Sequence, residues 1–393
     1  MSGSPRAALF ADSLLEVNGV ARTCGKLEWH ARQHGLPLLV VHPGSATSLE
    51  REGDNARLSL ACSRLRLNLE NDLKFDLLFM RHLGLVLRCL REFRAEIVHL
   101  TGPNHTGFLG SLAAWRLGLP VVMSWHTNVH DYASWRLPGF VPARVREAVR
   151  KASFRALALY YRQARVILAP NRDIAAQLGR ATGKPVRLML RGVDCELFRP
   201  ERKNRADGAF VAGYVGRLSP EKAVRRLRDV SLELQKAGLR DYRIEVVGDG
   251  AEREWLERNV PNLVCRGVLH GEELAQAYAN FDVFVFPSET DTFGNVVLEA
   301  MASGVPCVVM DAGGPATLVQ HGVTGLVCRS AAELAAGVAE LARRPAMRQW
   351  MSGAARRAAL GRTWDEVGAT VWTAWQDALI ALKTLPAGAR CLA

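Results

Sequence analysis

Long apolar runs are missing from this chain of 393 residues. A membrane-spanning helix needs about 18 or more consecutive apolar residues, and none of that length occurs, so no transmembrane span is expected. The N-terminus has too short an apolar core, interrupted too early by Asp12, for a signal peptide; its apolar run reads as a first strand. The eight cysteines are scattered, with no C-x-x-C pair and no Cys/His cluster of metal-binding type. That favours buried thiols in a reducing cytoplasm over a disulfide framework. Internal repeats and low-complexity tracts are absent. G-x-G-x-x-G does not occur at the strand-end turn Val247-Gly248-Asp249-Gly250, so the dinucleotide fingerprint is missing as well.

Acidic residues are the scarcer charge: 39 Asp and Glu stand against 51 Lys and Arg, for a formal net charge of +12 and a pI of about 9.6. Such a balance favours nucleic acid, anionic lipid or phosphorylated ligands. No zinc-finger spacing, RNA-binding aromatic signature or recognition helix accompanies it, so nucleic acid is not an expected partner. The 49% hydrophobic content fits a globular fold, and the length fits two or three domains.

What is present is a regular alternation. Residues 38–42, 97–100, 121–125 and 166–169 read as strands, with helical stretches such as 71–94 and 107–117 between them, giving a βα sandwich on a mainly parallel sheet. A polar stretch at 199–208 reads as a linker. A second series of strands follows at 210–215, 243–247, 263–266, 283–286 and 307–310. Two doubly wound α/β domains facing each other across a cleft are expected, at 1–200 and 201–363. A Trp-rich terminal helix at about 364–385 completes the chain.

The residues that carry chemistry sit at strand ends. In 284–327, Asp291 falls in the turn after a strand, and Glu299 falls inside the following helix on an apolar run. This unit places small-molecule sites at the carboxyl ends of parallel strands. Glu299 needs a polar partner, either a ligand hydroxyl or nearby backbone. In Tyr214-Val-Gly216-Arg217-Leu-Ser-Pro220-Glu-Lys222, Gly216 permits close backbone approach. Arg217 in the loop and Lys222 at the start of the next helix make a diphosphate pocket beside a helix N-terminus, or else pair with Glu221 at the surface. His126, in Trp125-His126-Thr127-Asn128, ends a strand and is either structural or directed at a site. Asn18-Gly19 reads as a helix-start turn with Asn18 as cap. Residues 142–164 form a long helix with Arg144, Lys151, Arg155 and Arg162 on one face, near Trp135, Arg136, Phe140 and Tyr160. That face is either solvated or suited to anionic lipid.

Together these motifs resemble the retaining glycosyltransferases of family 4, which have the two-domain GT-B fold. The family's donor signature is Glu, seven residues, Glu, then Ala-Met-Ala-x-Gly-x-Pro. Here Glu299-Ala-Met-Ala-Ser-Gly304-Val-Pro306 matches it, with Asp291 in place of the first Glu. Gly216-Arg217-Leu with Lys222 resembles the family's diphosphate element, with Ala223 where Asn is common. The resemblance covers nearly the whole chain, and it implies that the helix at about 364–385 crosses back to join the first, acceptor-side domain, while 201–363 binds the donor. It implies transfer of a hexose, of mannose or glucose type, from a GDP- or UDP-linked sugar to an acceptor hydroxyl. Arg217 and Lys222 would hold the diphosphate and stabilise the leaving charge, with Gly19 approaching it from the opposite side and Gly216 in the turn. Backbone at Val268 would meet the nucleobase and Glu299 the ribose. Asp291, Phe293, Gly294 and Asn295 would meet the sugar, and His126 would project into the catalytic cleft. No cofactor and no metal are expected, since Glu289-Thr290-Asp291 is the nearest approach to an Asp-x-Asp motif. The basic helix adds an expectation of a cytoplasmic protein docking peripherally on anionic membrane, with a glycolipid or membrane-associated acceptor. A sugar-nucleotide epimerase, or a non-catalytic nucleotide-sugar-binding protein prompted by Asp291 and Ala223, are the alternatives.

Overall fold

The apolar runs assemble into two mainly parallel sheets whose central strands are buried on both faces. The structure is a computed structural model and describes residues 4–11, 14, 19–68, 74–126, 128, 138 and 141–383. It divides into two units, residues 1–190 with 364–393, and residues 191–363.

The first unit holds β1 (Ala7–Phe10), β2 (Leu38–Gly44), β3 (Ser48–Glu52), β4 (Asn55–Ala61), β5 (Arg66–Asn68), β6 (Lys74–Asp76), β7 (Ile97–Leu100), β8 (Val121–Ser124), β9 (Val166–Ala169) and β10 (Val186–Leu188). Its main sheet runs β10-β9-β8-β7-β1-β2-β4-β3, parallel except where β3 pairs antiparallel with β4. Alternate residues of β1 feed two cores. Ala8 and Phe10 pack with Val86, Leu90 and Leu109 on one face. Ala7 and Leu9 pack on the other with Leu27 of the helix Gly19–Gln33 and with Trp364, Trp372 and Trp375 of the helix Trp364–Lys383. The Trp-rich terminal helix thus covers one face of this sheet.

The second unit holds β11 (Phe210–Val215), β12 (Tyr242–Val247), β13 (Leu263–Gly267), β14 (Val283–Phe286), β15 (Cys307–Met310) and β16 (Gly325–Cys328). Their order is β13-β12-β11-β14-β15-β16, all parallel. The winding reverses between β11 and β14, and in sheets of this kind ligands bind at the carboxyl ends of the strands flanking that point.

Three expectations change. The helix read over 71–94 is shorter: residues 71–73 lie outside the described residues, β6 pairs with β5 as a small hairpin, and the α-helix is Leu83–Phe93. The stretch 199–208 is strapped to the second unit: Arg205 forms an ion pair with Asp282, and Arg205 Nε donates to Asn280 O at 3.0 Å. Val193 and Phe198 already belong to that unit's core, so the first unit's sheet segment ends at Leu190. Lys222 lies in a 3-10 turn, Pro220–Lys222, and the helix it was expected to start begins only at Leu227.

Candidate functional site

At the end of β11 the chain turns through Gly216 into Arg217 and Leu218. The turn is fixed from below. The Tyr214 hydroxyl donates to Arg217 O at 2.9 Å, and Gly216 N–H donates to Val247 O at 3.0 Å while Leu218 N–H donates to Asp249 O at 2.9 Å. Gly248, at φ +137°, makes this contact sterically feasible: a Cβ there would lie 2.0 Å from Gly216 O. The Val247–Gly250 turn is therefore a platform under the Gly216 loop. Val268, just beyond β13, is exposed.

The two cations expected to act together have different surroundings. Arg217 is 58% exposed, with Glu221 Oε1 at 3.8 Å. Lys222 is largely enclosed, and its Nζ lies 2.6 Å from Asp291 Oδ1 in the loop after β14. Thr290 Oγ1 donates to Glu221 O at 3.2 Å, and Arg226 reaches Pro287 O and Glu289 at 3.0 and 2.7 Å. These contacts tie the β11 loop to the β14 loop across the reversal of winding. Ala223 follows Lys222 at φ 51°. That is the left-handed region, where Asn and Gly are favoured and Ala is strained, so the departure from the usual Asn at this position is felt in the backbone.

The β14 loop leads into the helix Asn295–Ala302, which Gly294 opens at φ +93° without a side-chain cap. Phe293 is buried, and the buried Arg191 guanidinium lies 6.0 Å from its ring centroid. Gly314 N–H, from the loop after β15, donates to Asp291 O at 2.7 Å. Two buried acceptors here, Asp291 Oδ2 and Asn295 Oδ1, have no donor among the described residues. Glu299 is 3% exposed, and the Tyr278 hydroxyl donates to its Oε2 at 2.9 Å. Sequence reasoning passed over Tyr278 and Arg191. A tyrosine on the apolar face of the helix Gly271–Ala279 was the available signal for the first; a cation directly ahead of Gly192 was the signal for the second.

In the first unit Gly19 opens its helix, and Thr23 Oγ1 donates to Gly19 O at 2.8 Å. Asn18, expected as its cap, lies outside the described residues. His126 follows β8, and its Nε2 lies 2.7 Å from Ser124 Oγ. The same hydroxyl is 3.0 Å from Nε2 of the fully buried His99. Burial holds the His99 pKa down at about 3, so this ring is neutral. His99 Nδ1 has no hydrogen-bond partner among the described residues, and an orphaned N–H is less tolerated than an orphaned lone pair. The His99 proton therefore belongs on Nε2, donating to Ser124, which in turn donates to His126 Nε2. Neither His99 nor Ser124 was singled out from the sequence, because both lie within strands.

The basic helix runs Ala143–Tyr161, and Arg144, Lys151, Arg155 and Arg162 are exposed. Lys151 Nζ lies 3.4 Å from Glu147. Arg150 grips the same carboxylate at 2.8 Å through each of two nitrogens, holding its pKa at about 2. Tyr160 does not accompany the basic face. It turns inward against Ser111 at 3.1 Å and the Phe108 ring at 5.1 Å. Trp135, Arg136 and Phe140 lie outside the described residues. Arg155, Arg162 and Arg180 border a groove of about 620 Å³ lined by Phe154, Ala158, Leu159 and Ala181. No helix among the described residues is long and apolar enough to cross a membrane.

Two family models match this chain: Glycosyltransferase Family 4 over residues 17–197 and Glycosyl transferases group 1 over residues 209–344. The chain is 37% identical to a GDP-mannose-dependent alpha-mannosyltransferase of Mycobacterium tuberculosis, covering 92% of this chain and 94% of that protein. It is 34% identical to the protein of the same name from Mycolicibacterium smegmatis, with the same coverage. In fold it is similar to sucrose-phosphate synthase from Thermosynechococcus elongatus, with a TM-score of 0.74, 18% identity, and coverage of 96% of this chain and 100% of that one. With two parallel-sheet α/β units and these relatives along nearly its whole length, the chain belongs to glycosyltransferase family 4 and has the GT-B fold.

Proposed function

We propose that this glycosyltransferase moves mannose from GDP-mannose to a membrane-associated acceptor, with retention at the anomeric carbon and without a divalent ion. The observation that carries the donor assignment is the full-length similarity to GDP-mannose-dependent mannosyltransferases. Arg217 and Lys222 bind the diphosphate and stabilise the charge that grows on it as the glycosidic bond breaks. Arg217 is the exposed, movable member. Lys222 is preset by Asp291 and retains two further N–H donors. Asp291 Oδ2 and Asn295 Oδ1 are buried acceptors awaiting donors, which sugar hydroxyls supply, and the uncapped start of the helix Asn295–Ala302 offers backbone N–H groups beside them. Glu299, oriented by Tyr278, takes the ribose hydroxyls. Val268 flanks the base, while Gly19 and His126 serve the diphosphate and the transferred sugar. His126 is held in one tautomer by Ser124. Two cations supply the positive field that a metal would otherwise bring.

The acceptor assignment rests on the groove bordered by Arg155, Arg162 and Arg180. Beside it, Arg165 has two buried guanidinium nitrogens without acceptors among the described residues, and Lys184 is lowered in pKa first by burial and then by Arg165 and Arg162. An anionic head group relieves this crowding, and the apolar groove floor suits lipid. The test is transfer of labelled mannose to extracted membrane lipid in excess chelator. Product in the lipid phase is expected. Transfer only to soluble acceptors would remove the membrane assignment, and rescue by magnesium or manganese would remove metal independence.

A further inference from the structure

Far along the helix from Gly19, the first unit assembles a second cluster of side chains. His30 lies in the last turn of the helix Gly19–Gln33, and His34 follows one turn later, so the two project from one face. His30 Nδ1 is 2.8 Å and His34 Nε2 is 2.9 Å from the same atom, Asp365 Oδ1, in the first turn of the helix Trp364–Lys383. One ligand atom from each residue lies within 4.8 Å of the others.

The cluster is built into the packing. The His30 side chain is only 6% exposed, with its ring 4.4 Å from that of His34 and 5.2 Å from that of Trp372, centroid to centroid. Gly368, one turn after Asp365, makes the space: a Cβ there would lie 2.3 Å from His30 Cγ. His34 and Asp365 are 46% and 50% exposed, so one side stays open for entry and for a water ligand.

We propose that His30, His34 and Asp365 bind a zinc-type divalent ion that clamps the C-terminal helix to the first helix. Two imidazoles and a carboxylate are the donor set zinc takes when it keeps one position for water. Bonds of about 2.0–2.1 Å in tetrahedral geometry separate ligand atoms by about 3.3–3.5 Å. The two nitrogen–oxygen distances, 2.8 and 2.9 Å, are thus each about half an ångström shorter than a bound ion requires, and all three ligand atoms already lie within 4.8 Å of one another. The ion ties the two helices together and keeps its fourth position for water. His30 is eleven residues along the helix from Gly19, a rise of about 16 Å at 1.5 Å per residue, so it does not meet a donor bound near Gly19. The site is independent of the proposed mannosyl transfer.

Full-length protein, treated with chelator and dialysed, is titrated with zinc alone by calorimetry and with cobalt by visible spectroscopy. One ion per chain is expected, with the d–d absorption of tetrahedral cobalt and a zinc-dependent rise in Tm. His34→Ala and Asp365→Asn, both at half-exposed positions, should weaken binding by at least about 10- to 100-fold, the loss that removing even an outer-shell partner causes, and should abolish the rise in Tm. Unchanged affinity in both variants would assign the ion to other His or Cys side chains and overturn the proposal. So would failure of the wild-type chain to bind zinc.

Discussion

Removing Lys222 perturbs the proposed donor site at a constrained point. Its Nζ lies 2.6 Å from Asp291 Oδ1, and the two side chains are 16% and 20% exposed. At an effective dielectric constant of about 20, charges so placed attract by about 6 kcal/mol before desolvation. Taking both groups out of water absorbs most of that and leaves about 1–3 kcal/mol net. Lys222→Ala should therefore lower the unfolding free energy by about 1–3 kcal/mol, because Asp291, whose second oxygen has no donor among the described residues, loses its counter-ion. Asp291→Ala should cost less, since the longer lysine can swing toward solvent. The double variant should fall short of the sum by about 1–2 kcal/mol, as expected for groups in direct contact. Turnover has a different signature. If the ammonium meets the leaving diphosphate, Lys222→Ala costs about 2–4 kcal/mol at the transition state, on the order of 100-fold or more in rate, and restoring stability through Asp291→Ala does not restore it. Calorimetric unfolding and single-turnover transfer on the four proteins separate the two effects. Near-wild-type turnover in Lys222→Ala, or strictly additive stabilities, would refute the reasoning.

Other consequences are equally direct. Ala223→Gly or Ala223→Asn relieves a left-handed residue at φ 51° and should raise stability by about 0.5–1 kcal/mol; an unchanged or lower Tm contradicts the strain. His99 is neutral in the folded state, with a pKa of about 3, against about 6.5 when unfolded. The unfolded chain thus binds the extra proton between those values, and this contribution is intact above about pH 6.5 and lost as pH falls, at up to about 1.4 kcal/mol per pH unit. His99→Gln should flatten the fall in Tm between neutral pH and pH 5, and an unaltered slope would exclude His99 as its source. Arg155→Glu with Arg162→Glu should abolish sedimentation with anionic vesicles at low salt, each charge contributing about 1 kcal/mol, while sparing donor hydrolysis; equal sedimentation of variant and wild type would rule out this face.

Most of the strand framework was legible because central parallel strands are continuous apolar runs. β7, β8, β9, β14 and β15 are buried at every position. β3 escaped notice because every residue of Ser48–Glu52 is exposed, so no apolar pattern marks it. The β5–β6 hairpin was hidden by the leucine-rich periodicity that follows it. At the site, Asp291 and Glu299 could be found from spacing within one strand-turn-helix unit. Their partners could not. Lys222 is 69 residues from Asp291 in sequence, and Tyr278 reaches Glu299 only through the packing of two helices. The His99–Ser124–His126 chain and the meeting of His30, His34 and Asp365 are likewise products of tertiary structure. The i, i+4 histidines were visible in the sequence, but the carboxylate that gives them meaning comes from 331 residues away.

The most direct test of the central reading is incubation of the purified protein with labelled GDP-mannose, UDP-glucose and extracted lipid, in excess chelator, beside Lys222→Ala. The account predicts that label leaves GDP-mannose for an acceptor in alpha linkage, and that the variant is slower by about two orders of magnitude. Recovery of an epimerised sugar nucleotide, or donor binding without transfer from any GDP- or UDP-sugar, would contradict it.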